Sequence, residues 1–516
     1  MIDAQSFVLF IPETILVVGG IVVLFMDMFI RRRKGTHTWL IWPTLIVLGL
    51  TLVAAAAQSN VMASIFPISD APNAPGMYAV DPFTAFFRVF AVLATAMVLI
   101  ASVGYIRGRT AYRGEFFALM IFATLSIILM AGSTDLVMMI LALEFLSIVS
   151  YILTGYLRGN PRSNEGAVKY FLYGSITTAV TFYGASLLYG LTGTTNLYQI
   201  AEYFSNPAHL AGGNVMALVL PAIVFLLAGF GFKVALVPFH QWSPDAYEGA
   251  PTPVTAFMSV GPKAAGLAML LRVFVTGLPE FTPRWAAIMI GIAAVTMTLG
   301  NLAALGQNNM KRLLAYSSIA QAGYMAIGIA AVSIPAIAGV GVGEGGAGSP
   351  MDGTAGVLLY LIGYLFTNLG LFTAVIAIDY IGGSEVINGY AGMLRRSPFV
   401  AIAMTIFFLS LIGIPPTAGF IGKLWVFGAA VGDKLFALAI IGAINGVISV
   451  VYYFKVVKQM YFVPAPDSAP LRLPLSINAI LGVCLALVLI MGIFPTPFIN
   501  WANQSIQMVG VLAWLR

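Results

Sequence analysis

Long runs of apolar residues constrain this chain more than any other feature of its sequence. Fourteen such runs, each about 17 to 30 residues long, are separated by polar breaks. A helix needs about 20 apolar residues to cross the hydrocarbon core of a bilayer. The chain is only 9% charged, whereas soluble domains carry about 25% charged residues. The sequence therefore predicts an all-α polytopic membrane protein with about fourteen transmembrane helices.

The predicted spans are numbered one to fourteen in chain order. They are residues 7–30, 39–57, 83–106, 116–132, 134–157, 168–191, 215–238, 252–275, 285–305, 312–332, 354–380, 399–428, 435–459 and 476–497.

The charged residues between these spans alternate in sign. The following basic residues all lie in loops on one side: Arg31 to Lys34, Arg107, Arg109, Arg113, Arg158, Arg162, Lys169, Lys311, Arg312, Arg395, Arg396, Lys455, Lys458 and Arg472. The opposite loops hold Asp70, Asp81, Glu202, Glu344 and Asp352. Since lysine and arginine mark the cytoplasmic side, both termini are predicted to lie outside, which is the periplasm in a bacterium.

Composition also excludes several classes of function. The formal net charge is +6, but the basic residues form no patch or stripe of the kind that binds nucleic acid. Cys484 is the one cysteine, and it lies inside an apolar run. The histidines, His37, His209 and His240, are far apart. Disulfides and a metal site with ordinary ligand spacing are therefore not expected.

A glycine-rich stretch between spans ten and eleven contains a G-x-G-x-x-G pattern. Its glycines are Gly341, Gly343 and Gly346. A dinucleotide fingerprint needs a preceding strand and a following helix, and here the pattern links two membrane spans. A flexible loop is the favoured interpretation. No nucleotide, flavin, haem or iron–sulfur motif is found in the sequence, so no cofactor is expected in this chain.

Four ionisable residues lie near the middle of apolar spans, namely Glu144, Lys233, Lys263 and Lys423. Each costs about 2.5–3.5 kcal/mol at the centre of a span, so each is expected to face the interior of the bundle or a hydrated cavity. Burial disfavours the charged form of any such group, so these residues are expected to be able to take up and release protons. A static ion pair is the alternative for Glu144 and one lysine, but three lysines against one carboxylate favour proton carriers.

Prolines interrupt two of the lysine-bearing spans. Pro238 follows Lys233 by five residues, and Pro415 and Pro416 precede Lys423. Proline removes a helical hydrogen bond, and paired broken helices in two halves of a transporter point to its transport site. Helices seven and twelve are thus predicted to be discontinuous, five spans apart, although ordinary kinks are the alternative.

Because a repeat of five helices contains an odd number of spans, its second copy must be inverted. The predicted organisation has an N-terminal three-helix segment (residues 1–115), a first repeat of helices 4–8 (116–280), a second repeat of helices 9–13 (281–465) and a C-terminal helix 14 (466–516).

The segment Pro238 to Met258, PFHQWSPDAYEGAPTPVTAFM, closely resembles the antiporter-like membrane subunits of respiratory complex I, the bacterial NADH–quinone oxidoreductase. The resemblance extends over essentially the whole chain in span number, broken helices and charged positions. Within the family it is similar to the N type, because Lys423 stands where the M type has a glutamate and because no long lateral helix follows span fourteen.

The resemblance implies roles for the buried charges. Glu144 of span five would pair with Lys233 of span seven, Lys263 would be the central lysine, and Lys423 the exit-side lysine of a proton relay. It implies that NADH, FMN, iron–sulfur clusters and quinone bind in partner subunits. The implied partners are neighbouring antiporter-like and small helical membrane subunits together with the bilayer lipid, and the implied location is the bacterial inner membrane.

Three other functions stay open at this point. The first is a cation/proton antiporter subunit of the Mrp type, and the second is a membrane subunit of a related hydrogenase or ferredoxin-linked complex. The third is a structural spacer between other subunits. The N-type segment argues against the first, and the buried lysines argue against the third.

Overall fold

The computed structural model describes residues 4–30, 37–67, 76–110, 112–210, 215–332, 351–380, 383–465, 470–506 and 508. Three features named above lie outside the described residues. They are the basic run Arg31 to Lys34, Asp70, and the glycine-rich stretch Gly339 to Gly348.

Helices dominate the described residues. Thirteen of them are long and apolar enough to cross a membrane, and a pair of shorter apolar helices forms the remaining predicted span. In chain order the spans are Ile11–Ile30, Ile41–Ala57, Pro82–Arg109, Arg113–Gly132, Leu136–Thr154, Pro161–Thr192, Val215–Val234, Thr252–Leu271, Thr282–Leu305, Met310–Ala331, Gly353–Tyr380, the pair Pro398–Ile412 and Ala418–Gly432, Phe436–Phe462, and Leu475–Ile493.

Short elements connect these spans. The short helices are Ala4–Leu9, His37–Leu40, Leu197–Ser205, Pro207–Leu210, Trp242–Gly249, Arg272–Gly277, Pro279–Phe281, Ile387–Tyr390, Met393–Arg396 and Thr496–Ser505. An antiparallel hairpin, β1 (Ala63–Pro67) and β2 (Gly76–Val80), joins spans two and three. The hairpin was not predicted, because the segment between those spans carries no clean alternation of polar and apolar residues.

Span six begins seven residues before its predicted start. Its first residue is Pro161, and the Asn160 side chain accepts a hydrogen bond from the Arg162 amide, which caps the helix. Charged side chains of the first three turns, Glu165 and Lys169, form an ion pair on the helix surface. A boundary placed by hydropathy stops at such charges, whereas the helix itself continues through them.

The structure contains both predicted breaks. Span seven ends at Val234 and resumes as the short helix Trp242–Gly249, and span twelve is divided between Ile412 and Ala418. Gly413, at the start of the second break, has a φ of 92°, which a glycine adopts without a steric penalty. The division into two inverted repeats stays a prediction.

Spans eight, ten and eleven form the centre of the molecule. Their most apolar stretches are 100%, 94% and 100% buried, against 22% for span six. Span thirteen, by contrast, presents large apolar side chains outward, among them Val447 and Val451. An exposed apolar surface of this kind fits lipid or neighbouring membrane subunits, while the buried spans position the candidate site.

Candidate functional site

Lys233 lies on the first half of span seven, fully buried, and its ammonium binds hydroxyl groups. Its Nζ donates to Ser147 Oγ at 3.0 Å and to Tyr170 Oη at 3.5 Å. Glu144, which is half-buried, accepts a hydrogen bond from Thr178 of span six. Ser147 and Glu144 are three residues apart and so share one face of span five. In the described part of the chain, no ion pair within 4.0 Å joins Glu144 to Lys233. The structure therefore shows no direct ion pair here, and Lys233 instead contacts Ser147, one helical turn from Glu144 on span five.

Side chains supply hydrogen-bond partners to backbone groups at the break that follows Lys233. Trp242 Nε1 donates to Phe232 O at 3.0 Å, and the Val237 amide donates to Thr296 Oγ1 at 3.0 Å. Pro238, predicted to interrupt the helix, lies in the turn between the two halves. Irregular backbone is tolerated at membrane depth only where protein or water satisfies it, and here the protein does so.

Lys263 is buried in the middle of span eight, which is itself buried along its length. Its Nζ donates to the main-chain oxygen of Ser318 at 2.7 Å, and its side chain is 0% exposed. Ser318 belongs to span ten. The central lysine therefore spans the boundary between the two predicted repeats.

Lys423 closes the end of a half-helix. Its Nζ donates to Leu411 O and to Ile412 O, both at 2.8 Å. These oxygens end the first half of span twelve, where the helix dipole is negative. The ammonium also lies 4.2 Å from the centre of the Tyr324 ring, within the range of a cation–π contact. The break thus supplies the acceptors that hold the lysine.

The two breaks place their lysines on opposite sides. Lys233 is the penultimate residue of the helix before the break in span seven, whereas Lys423 is the sixth residue of the second half of span twelve. Pro415 and Pro416 lie between the halves of span twelve. The order of lysine and proline in the sequence gives the side of each break on which its lysine lies, but it does not give the acceptors that the lysine reaches.

A row of polar side chains on spans ten and eleven was missed by sequence reasoning. Tyr364 Oη donates to Ser318 Oγ at 2.8 Å. Gln321 Nε2 donates to Leu411 O at 3.1 Å, and Tyr360 Oη donates to Gln321 Oε1. The available signal was their spacing, because polar residues three or four positions apart in an apolar span share one helix face.

Two fully buried ion pairs were also missed. Arg88 of span three binds Glu13 of span one, with Nε 2.8 Å from Oε1. Arg272, just after span eight, forms two hydrogen bonds of 2.7 Å to the Asp81 carboxylate. These charges are near the ends of their spans, so a search for charges at mid-span passes over them. Their paired geometry fits a structural role.

Asp245, on the short helix after the break in span seven, connects separate spans through ion pairs. Lys169 of span six donates to it at 2.8 Å, and Arg312 of span ten at 2.5 Å. Arg312 also reaches Glu248 of the same short helix at 3.0 Å. The second half of span seven is thereby tied to both predicted repeats.

No group of three histidine, cysteine, aspartate or glutamate side chains that could hold a metal ion is found among the described residues. That observation fits the sequence, in which the same residue types are widely spaced. The expectation that the chain holds no cofactor stays a prediction.

Fold and site together define a class of protein. A bundle of apolar helices, two of them broken, with lysines buried beside the breaks, is the architecture of membrane proteins that move small ions. A family model described as "NADH:quinone oxidoreductase/Mrp antiporter, TM" matches residues 133–344 and 345–449. The chain belongs to this family.

Relatives and solved structures agree with the family. The chain is 41% identical to NADH-quinone oxidoreductase subunit N 2 of Symbiobacterium thermophilum, over 97% of this chain and 96% of that protein. It is similar to a chain of respiratory complex I from Thermus thermophilus, at 29% identity and a TM-score of 0.75, over 95% of this chain and 98% of that one. A chain of the Mrp complex from Dietzia sp. shares the fold, with a TM-score of 0.81 at 20% identity over all of both chains.

Proposed function

We propose that this chain is the N-type membrane subunit of a bacterial NADH–quinone oxidoreductase and that it moves protons across the inner membrane. The observation that carries the proposal is the burial of Lys233, Lys263 and Lys423, which are 0%, 0% and 5% exposed, next to or between two broken helices. Buried charges of this kind in membrane proteins mark ion and proton pathways. The 41% identity to a protein named subunit N favours this function over that of an Mrp-type antiporter.

The four ionisable residues would act in order across the membrane. Glu144 and Lys233 would form the first site, in which Ser147 accepts a hydrogen bond from Lys233. Lys263 is the central carrier. Lys423 is the last carrier, and it passes the proton to the outer face. Each lysine can exchange a proton because a low-dielectric site disfavours its charge.

Electron transfer would take place in other subunits. NADH, FMN, the iron–sulfur clusters and quinone belong to those partners, and this chain contributes no redox site of its own. Its neighbours would be further antiporter-like and small helical membrane subunits, which suits the outward apolar faces of spans six and thirteen. The chain is thus an enzyme subunit only as part of the assembled translocase.

Glu144→Gln tests the first site. The change removes a charge but keeps the side-chain volume, so the complex should assemble and pump several-fold fewer protons per electron. Glu144→Asp keeps the charge and should retain part of the pumping. The measurement is the ratio of protons to electrons in liposomes that contain the purified complex and are driven by NADH.

Glu202→Gln, at an exposed position of an outer loop helix, is the matched control for loss of a carboxylate. A wild-type ratio in Glu144→Gln would contradict the proposal.

Flavin and iron–sulfur absorption of the same preparation separates this function from that of an Mrp antiporter, which would show neither.

Both termini should lie on the outer side. The prediction rests on the side preference of lysine and arginine. A cysteine at Gly159 should react with an impermeant maleimide from the cytoplasmic side of sealed vesicles, and a cysteine at Ala208 from the other side. Both positions are exposed, and the native Cys484 is buried and should not react. Reaction of both from one side would refute this topology.

A further inference from the structure

The side chain of Gln321 shares a hydrogen-bond acceptor with Lys423. Gln321 Nε2 lies 3.1 Å from Leu411 O, and Lys423 Nζ lies 2.8 Å from the same oxygen. Gln321 is 1% exposed and Lys423 5%, so bulk water does not compete for this oxygen. Two donors therefore meet at one carbonyl at the end of the broken helix.

Tyr360 holds the end of the Gln321 amide that faces away from that carbonyl. Its hydroxyl donates to Gln321 Oε1, while the Leu411 carbonyl, which can only accept, requires the amide nitrogen at the other end. The NH₂ group is thus directed at Leu411 O. Without the Tyr360 hydroxyl, the Gln321 oxygen would lose the hydrogen bond that helps to hold the amide against the carbonyl.

When two donors share one carbonyl oxygen, each hydrogen bond is weaker than it would be alone. The amide hydrogens of Gln321 carry partial positive charge, and they approach the same oxygen as the Lys423 ammonium. Each donor thereby reduces the attraction between the carbonyl oxygen and the other donor. Moreover, when Lys423 is neutral, Gln321 keeps the buried Leu411 carbonyl hydrogen-bonded, which avoids the cost of an unsatisfied group.

We infer that Gln321 and Tyr360 are positioning residues that control how firmly Lys423 holds its proton. Because the Gln321 amide also donates to the Leu411 carbonyl, that oxygen stabilises the Lys423 ammonium less. Proton release from Lys423 is therefore faster. Tyr360 acts through Gln321 by fixing its orientation. The inference rests on the proposed role of Lys423 as the last proton carrier.

Few other charged groups lie where they could change how firmly Lys423 holds its proton. Among the described residues, the only titratable side chains buried on the elements packed against the second half of span twelve are tyrosines, Asp379, Lys311 and Cys484. They are Lys311 and Tyr324 on span ten, Tyr360, Tyr364 and Asp379 on span eleven, Tyr452 and Tyr453 on span thirteen, and Cys484 on span fourteen. Asp379 pairs with Arg109 and so is not available as a counter-charge to Lys423, and the like charge of Lys311 is compensated by Glu385.

The test compares Gln321→Leu and Tyr360→Phe with Tyr390→Phe in the purified complex in liposomes. Tyr390 is buried, and its hydroxyl has no hydrogen-bond partner in the described structure, so its variant controls for loss of a buried hydroxyl. Losing one hydrogen-bond donor should slow NADH-driven pumping about three- to tenfold near neutral pH. Because Lys423 then keeps its proton more firmly, pumping should recover at alkaline pH. Gln321→Glu should show the same shift more strongly, since its carboxylate attracts the ammonium.

The pH profile separates this role from packing. A loss of pumping that is equal at every pH, or pumping in both variants like that of Tyr390→Phe, overturns the inference. Lys423→Ala is measured in parallel. If it abolishes pumping while Gln321→Leu has no effect, this inference alone fails. If Lys423→Ala pumps normally, the inference falls together with the proposed relay.

Discussion

The three buried lysines are held by three different sets of acceptors. Lys233 donates to two side-chain hydroxyls, whereas Lys263 donates to one main-chain oxygen. Lys423 has two main-chain oxygens and the face of an aromatic ring. These acceptors compensate part of the cost of burying an ammonium, and none of them carries a full negative charge. The site therefore holds each cation without fixing it permanently in the charged form.

Lys423→Arg should separate charge from proton exchange. An arginine stays protonated in proteins, and its guanidinium can still donate to the carbonyls that end the half-helix. We expect near-normal assembly and a large loss of pumping per electron in reconstituted liposomes. Lys423→Ala serves as the comparison, because it removes the charge and the hydrogen bonds together. If the arginine variant pumped like wild type while the alanine variant failed to assemble, Lys423 would be a structural charge.

At this scale the sequence predicted the lysines but not their partners. Lys263 stands out because a cation in an apolar run is costly. Its acceptor, the carbonyl of Ser318, is a group that every residue carries, and it lies 55 positions away. No residue pattern distinguishes that oxygen from any other. The contacts therefore had to come from the structure.

The broken helices are the elements on which the site depends. In span twelve, Gly413 adopts a left-handed conformation, and a Cβ at this position would lie 2.8 Å from Cδ of Lys423. The glycine thus lets the chain turn and lets the lysine reach back to the helix end. The sequence predicted the break from Pro415 and Pro416, because proline cannot continue the hydrogen-bond ladder. The sequence could not predict that the Lys423 side chain turns back toward the helix end, because this depends on how the two half-helices pack.

Gly413→Ala should impair both assembly and pumping. A left-handed backbone costs a non-glycine residue about 1–2 kcal/mol, and the added methyl group displaces the Lys423 side chain. We expect a lower yield of assembled complex and a reduced ratio of protons to electrons in what remains. The control is Gly482→Ala on span fourteen, where an added Cβ meets a single atom at 4.0 Å. Wild-type yield and pumping in Gly413→Ala would contradict this account of the break.

Across the whole molecule, buried ion pairs tie distant segments together. Arg272, at the end of span eight, binds Asp81, which caps span three. Arg88 of span three binds Glu13 of span one. The N-terminal three-helix segment is therefore anchored to itself and to the following helices by charges as well as by apolar packing. The count of fourteen spans was predictable from hydropathy, but these pairs join residues up to 191 positions apart, and their pairing was not.

Arg272→Met should destabilise the molecule without uncoupling it. Removing one partner of a buried ion pair typically costs about 3–5 kcal/mol, because the other charge stays buried without it. We expect a lower melting temperature of the purified complex and an unchanged proton-to-electron ratio at temperatures where it stays folded. The double variant Arg272→Met/Asp81→Asn should recover part of the lost stability. An altered ratio in the folded single variant would indicate a role in transport.

The main-chain acceptors of Lys263 and Lys423 have a genetic consequence. The carbonyls of Ser318, Leu411 and Ile412 persist whatever side chains stand at those positions. Mutational scanning would leave them intact, and a search for residues that change in concert with either lysine would not return these oxygens. Side-chain substitutions therefore cannot remove these oxygens. Selection acts on them only through residues that set the course of the backbone, above all Gly413.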